Sequence, residues 1–310
     1  MLLSRTSRKK EDEMVKQEEE VMEELRESMK KDINKLFKLI LRDYVRSFTE
    51  LGIIPSQNQY KEKWEEIILK HTKNTAKIFS KTLRNGLNKS IGFFETKSTS
   101  ELEISLEDNK ALNDVIAESL AVWLINNAEK ATEEINNTTS KEISNATNSA
   151  RRTLLEQKST DKLEKKDIKI IEVKQEEEIG VLITDQQVSA LAADVLEDRF
   201  EVREDIIAFN EIGKAQSEAK FQEALNLNKS NATIDSEPIT GTIKKVWNAI
   251  LDQKTRVAHA EADFFYHDNP IDINEPFIVD GEQLQYPRDP AGSPGNTINC
   301  RCQMMNIADI

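Results

Sequence analysis

The chain has 310 residues, of which 38% are hydrophobic, 6% aromatic and 32% charged, and a formal net charge of −13. That length allows two ordinary domains, but so few aromatic and so many charged groups describe thin cores, so long helices are expected rather than one large globule. Two cysteines are too few for a disulfide scaffold, and no run of about 18 apolar residues exists to form a membrane span. The basic opening MLLSRTSRKK passes into KEDEMVKQEEE without an apolar segment. A soluble chain made in the cytoplasm, without membrane contact, is the expectation.

From Glu11 to Leu51 the apolar residues Met14, Met22, Leu25, Met29, Ile33, Phe37, Ile40, Tyr44, Phe48 and Leu51 recur every three or four positions, the period of an amphipathic helix. Gly52 and Pro55 end it. A second helical pattern runs through Tyr60, Trp64, Ile67, Ile68, Phe79, Leu83, Leu87 and Ile91, so an antiparallel helical hairpin is predicted. Charge is unevenly spread: residues 28–94 hold 14 Lys/Arg against 6 Asp/Glu, although the whole chain is acidic. Such a segment is either a solvated helix pair or a weak contact surface for DNA phosphate or an acidic partner.

A third run begins near Asn109 with Leu112, Val115, Ile116, Leu120, Trp123 and Leu124, and continues on smaller residues through Ala131, Ile135, Ile143, Ala146, Ala150 and Leu154. Small residues permit close helix approach but contribute little hydrophobic driving force. Residues 156–183 are charged around a β-branched patch, Ile168 to Val173, and read as a linker or small hairpin. Thr184 and Gln187 have the spacing of a capping box, predicting a helix start there, and a further helix is expected over about 201–226. Beyond Asn228 the texture changes: this region holds most of the prolines and two of the three histidines. Short apolar runs at Val246–Leu251, Phe277–Val279 and Cys300–Met304 are candidate strands. The expected fold is mainly α with a small C-terminal α+β module. It divides into a long helical region at 1–155 for docking and assembly, the linker, and a C-terminal domain at 184–310 with helices at 184–227 and a loop-rich module at 229–310.

Within that module Asp252, Thr255, Arg256 and His259 are followed by Glu275-Pro276-Phe277, Gly281, Tyr286-Pro287, Asp289-Pro290 and Ile298-Asn299-Cys300-Arg301-Cys302. In this order and spacing the residues resemble the Mu F-like head morphogenesis domain of tailed phages, carried by minor capsid proteins. Upstream, Ile206 to Ala224 offers a matching Glu211, but Phe209 and Asn210 stand where the family pattern has Arg-Thr. The resemblance covers about residues 184–302, with full motif strength only after Trp247. It implies a minor head protein located in the virion head, at the portal vertex, and in the host cytoplasm during assembly. The implied partners are the portal, capsid and scaffold proteins, with a role in head morphogenesis and in some relatives in DNA packaging or ejection.

Read by their own chemistry, cysteines at i and i+2 of an extended strand point to opposite faces, which disfavours a disulfide. Two readings stay open: burial as small hydrophobes, or a zinc clip formed by His259, Cys300 and Cys302 with His267 or Asp252 as a fourth ligand. Asp252, Arg256, Asp263, Tyr286, Asp289 and Asn299 are candidate structural residues. Asp252 is expected to cap the helix near Thr255, while Arg256 and His259 bond the irregular loop. No nucleophile, phosphate-binding glycine loop or second convergent acid accompanies them, so no catalytic role is expected. The alternative is a metal-dependent hydrolase or effector enzyme using Asp252, His259, Cys300 and Cys302.

Overall fold

The computed structural model of the protein describes residues 5–88, 118–166, 183–229, 233–234, 237–238 and 243–308. It is mostly helical, with a small strand-containing C-terminal module. Helix α1 (Arg5–Leu51) ends where Gly52 enters the left-handed region at φ +66° and returns its N–H to the Phe48 carbonyl at 2.9 Å. After a 3₁₀ turn (Gln57–Tyr60) started by Ser56, α2 (Lys61–Asn88) runs back along it. Phe37 meets Trp64, and Tyr60 donates to Asp43 at 2.9 Å, the pairing of an antiparallel hairpin. Helix α3 spans Glu118–Lys166 and α4 spans Asp185–Lys229. The capping box at the start of α4 is reciprocal: Gln187 N–H donates to Thr184 Oγ1, and Thr184 N–H to Gln187 Oε1, both at 3.2 Å.

Two expectations change. The separate helices predicted after Thr184 are one helix, because nothing between Leu196 and Glu201 breaks it: the stretch holds neither glycine nor proline. The linker expected from 156 begins inside α3, which continues to Lys166. The patch at Ile168–Val173, the start of the third run near Asn109, and Ile91 lie outside the described residues.

The chain divides into two compact units, one from Met1–Lys30, Glu66–Lys130 and Asp205–Ile310, the other from Lys31–Glu65 and Ala131–Glu204. In the second unit the Phe37 ring lies edge-on to Trp64 and stacks on Phe200 at 4.3 Å. Tyr44 Oη bonds Thr147 Oγ1 at 2.8 Å, so the small-residue stripe of α3 contributes polar contacts as well as close approach. Buried Thr139 and Thr147 return their hydroxyls to carbonyls four residues back, which keeps these polar groups satisfied in a helix interior.

In the first unit, α1, α2, α3 and α4 bury Met22, Leu25, Phe79, Leu124, Ile212 and Ala219. The C-terminal module follows. A two-residue ribbon pairs β1 (Thr233–Ile234) with β2 (Glu237–Pro238). Strand β3 (Ile243–Asn248) lies between β4 (Ile271–Asp272) and β7 (Gln303–Ala308) in an antiparallel sheet, with Trp247 opposite Met304. Helix α5 (Val257–Asp268), the hairpin β5–β6 (Phe277–Val279 and Glu282–Leu284) and a short α6 (Pro294–Thr297) complete it. Trp247, Tyr266 and Phe277 meet edge-to-face in its core, aromatic area that compensates for the module's size. Of the predicted strands, Phe277–Val279 forms as read, Val246–Leu251 lies across the end of β3, and the one placed at Cys300 starts later, at Gln303.

Candidate metal centre

His259 sits in the first turn of α5, and its ring is buried against Trp247. The chain returns to it through the long loop after β6. There α6 ends and Asn299 turns the backbone at φ +55°, leaving Cys300 and Cys302 in a non-strand segment just ahead of β7. Extended geometry would send the sulfurs to opposite faces; the Asn299 turn brings both to one side. Both cysteines are free and buried, with Cys302 Sγ 3.3 Å and Cys300 Sγ 3.6 Å from the same atom, His259 Nδ1.

His259, Cys300 and Cys302 therefore form a group able to hold a metal ion, their donor atoms all within 4.8 Å of one another. Zinc–sulfur bonds of about 2.3 Å and zinc–nitrogen bonds of about 2.0–2.1 Å at tetrahedral angles separate S from N by about 3.6 Å, close to both observed spacings. The other ring nitrogen, Nε2, faces Asn296 Oδ1 at 3.4 Å, and the Asn296 amide nitrogen donates to the Val279 carbonyl at 3.3 Å. That places an acceptor opposite Nε2 and leaves Nδ1 to face the sulfurs, as outer partners of a ligating histidine do. The Cys302 thiol bonds the Cys300 sulfur and, with His259 and Arg288 near it, holds the Cys300 thiol well below its usual range; Cys302, keeping the proton, is pushed up.

Neither proposed fourth ligand joins this group. Asp252 is exposed and bound by the Arg301 guanidinium through both oxygens, which holds its carboxyl below the usual carboxylate range. It also accepts from Lys254 N–H at 2.9 Å, closing the turn before α5 rather than capping the helix, whose N-cap is Arg256. His267 lies against Asp263 Oδ1 at 3.4 Å. Asp263 is buried and accepts the Ala249 N–H at 2.8 Å, joining the end of β3 to α5. Arg256 donates to the Ile298 carbonyl at 2.6 Å.

The YPRDP loop is fastened to α4 by side chains. Tyr286, deeply buried, bonds Glu218, and burial raises both groups above their usual values. Asp289 accepts from the backbone N–H of Gln285 and Ala291 at 2.8 and 2.9 Å. Arg288, at φ +68°, is 1% exposed and sends its guanidinium between the elements: Nε donates to the Cys300 carbonyl and Nη1 to the Gly213 carbonyl. Gly213 is required for that passage, since a Cβ there would lie 2.5 Å from Arg288 Nε. Phe209 takes Arg26 at 4.3 Å and Arg288 at 5.4 Å over its ring. Asn210 accepts the Asn299 N–H at 2.8 Å and so supports the turn that presents the cysteines.

Sequence reasoning missed Arg288, Gly213, Glu218 and Asn296. Arg288 occupies the unspecified position of YP-x-DP, and nothing local marks an arginine as buried. It also missed Lys245, fully buried on β3, whose ammonium donates to the Gln285 carbonyl at 2.8 Å between the rings of Phe221 and Phe277. Burial lowers its pKa to about 7.

No family model and no solved structure matches the chain. A protein of Enterococcus faecalis (strain ATCC 700802 / V583) named as NAD(+)--arginine ADP-ribosyltransferase EFV is 28% identical over 105 residues, 30% of this chain. The chain spans about a fifth of that protein's length, 20%. This similarity overturns the expectation that the chain has no enzymatic role: a relative named as an enzyme shares part of its sequence, and the lack of a catalytic set among the C-terminal motif residues is no measure of the rest of the chain.

Proposed function

We propose that the chain is a minor head protein of a tailed phage, acting in head assembly in contact with the portal. One observation carries this reading. The residues on which the resemblance rests are engaged with one another and with backbone: Asp252 with Arg301, Arg256 with Ile298, His259 with Cys300, Cys302 and Asn296, and Asp289 with its own loop. A motif used this way specifies the shape of a module, which suits an assembly part whose surface must be reproducible. In this reading zinc joins His259, Cys300 and Cys302 and holds the loop after β6 onto α5. A buried ion there adds stability to a module with a small core. The burial of all three side chains favours that structural role over a hydrolytic metal open to substrate.

The test is sedimentation of procapsids assembled with and without the portal protein in the presence of this chain. Incorporation that depends on the portal supports the proposal, and absence from both particles refutes it. Elemental analysis of the same purified chain is expected to find one zinc per chain, lost on Cys302→Ser.

The named relative favours a second reading, in which this chain takes part in ADP-ribosyl transfer. Transfer of label from NAD⁺ to an arginine analogue by the full chain would support it, and no transfer above buffer would count against it.

A further inference from the structure

Between residues 31 and 46 of α1, the exposed positions are Lys31, Lys35, Lys38, Arg42 and Arg46, and all five are cations. They follow one another at intervals of four, three, four and four, so they line one face of the helix over about 22 Å. The complementary positions Ile33, Phe37, Ile40 and Tyr44 are buried in the core of their unit, which fixes which way this face points. Lys35, Arg42 and Arg46 have side chains 76%, 71% and 66% exposed. Their ion pairs go to Asp32 and Asp43 on the same helix, and Lys31 and Lys38 make no ion pair among the described residues. N-terminal to the stripe the exposed positions turn acidic, with Glu20, Glu23, Glu24 and Glu27, which limits its extent.

We infer that this stripe is a docking surface for the phosphate backbone of duplex DNA, bound without regard to sequence. An unbroken cationic row on a chain of net charge −13 is not a by-product of composition. A row of five charges at about 5–6 Å spacing can lie along a backbone carrying one phosphate per about 3.4 Å of each strand. No aromatic or amide side chain is exposed among these positions to read base edges, so contacts of the positioning kind are expected. A second copy of this chain, offering its acidic stretch, is the weaker occupant: exposed ion pairs contribute about 0–1 kcal/mol each against an association cost of about 4–15 kcal/mol. The inference goes beyond the head-assembly reading and does not rest on it, since loss of DNA binding would leave portal-dependent incorporation untouched.

The experiment is fluorescence anisotropy of a labelled duplex of about two helical turns with the full chain, titrated from about 50 to about 200 mM salt. The wild type is expected to bind saturably at the lower salt. Lys31→Glu with Lys38→Glu should weaken binding at least about tenfold and reduce the salt slope by about 2, while Lys141→Glu, exposed on α3, should leave both unchanged. Lys31→Gln with Lys38→Gln makes the same comparison if charge reversal disturbs helicity by circular dichroism. Absence of duplex binding at low salt, or equal binding by wild type and both double variants, overturns the inference. Tighter binding to polyglutamate than to the duplex also overturns it and assigns the face to an acidic protein.

Discussion

Gly213→Ala is expected to destabilise this protein, although in most helix interiors the change stabilises by about 1 kcal/mol. The new Cβ would stand 2.5, 2.6 and 2.7 Å from Nε, Cδ and Cζ of Arg288. The guanidinium has nowhere to retreat: it is buried, its Nε is bonded to the Cys300 carbonyl, and the Phe209 ring lies beneath it. Displacing it forfeits a charge-assisted hydrogen bond, about 1.5–3 kcal/mol, and leaves a buried cation short of a partner. Against the propensity gain the net loss is about 1–2 kcal/mol, a fall of a few degrees in melting temperature. The assay is thermal and urea unfolding of the full chain followed by circular dichroism. The partner variant Arg288→Ala removes all three obstructing atoms, so in that background Gly213→Ala should stabilise by about 1 kcal/mol, a coupling a double-mutant cycle measures directly. A rise in melting temperature for Gly213→Ala alone would show that Arg288 does not need the space.

The buried ammonium of Lys245 supplies a pH test. Its pKa of about 7 lies below the unfolded value of about 10.4, so the unfolded chain binds more protons between those limits and stability should rise with pH across them. Lys245→Met should flatten that rise and stabilise at neutral pH by about 1–3 kcal/mol, the ring faces and Gln285 oxygens offsetting part of the burial cost; a pH series of urea midpoints decides it. If metal joins His259, Cys300 and Cys302, a strong chelator should lower the melting temperature of the wild type and leave Cys300→Ser unmoved, and equal curves for wild type with and without chelator would return the cysteines to simple burial. At the left-handed Asn299, Asn299→Val should cost about 1–2 kcal/mol more than Asn299→Gly in urea unfolding, because a β-branched side chain is disfavoured there.

Local rules made much of the helical framework legible. The three- and four-residue recurrence of Met22 to Phe48 set the buried face of α1, Gly52 set its end, and Thr184 with Gln187 set the start of α4, each through contacts within a few residues. The composition change after Asn228 marked the α+β module. The partners of its motif residues were not legible, because those partners lie far along the chain. Arg301 rather than a helix end takes Asp252, and Asn296 orients His259, each a pairing made only when the loop after β6 folds back. The cysteines show the limit most directly: period-two reasoning separates Cys300 from Cys302, and a single left-handed residue, Asn299, held by Asn210 from 89 positions away, brings both sulfurs to one histidine. Which faces exist was set by short-range periodicity; which of them meet, and so where a metal can sit, was decided by long-range packing.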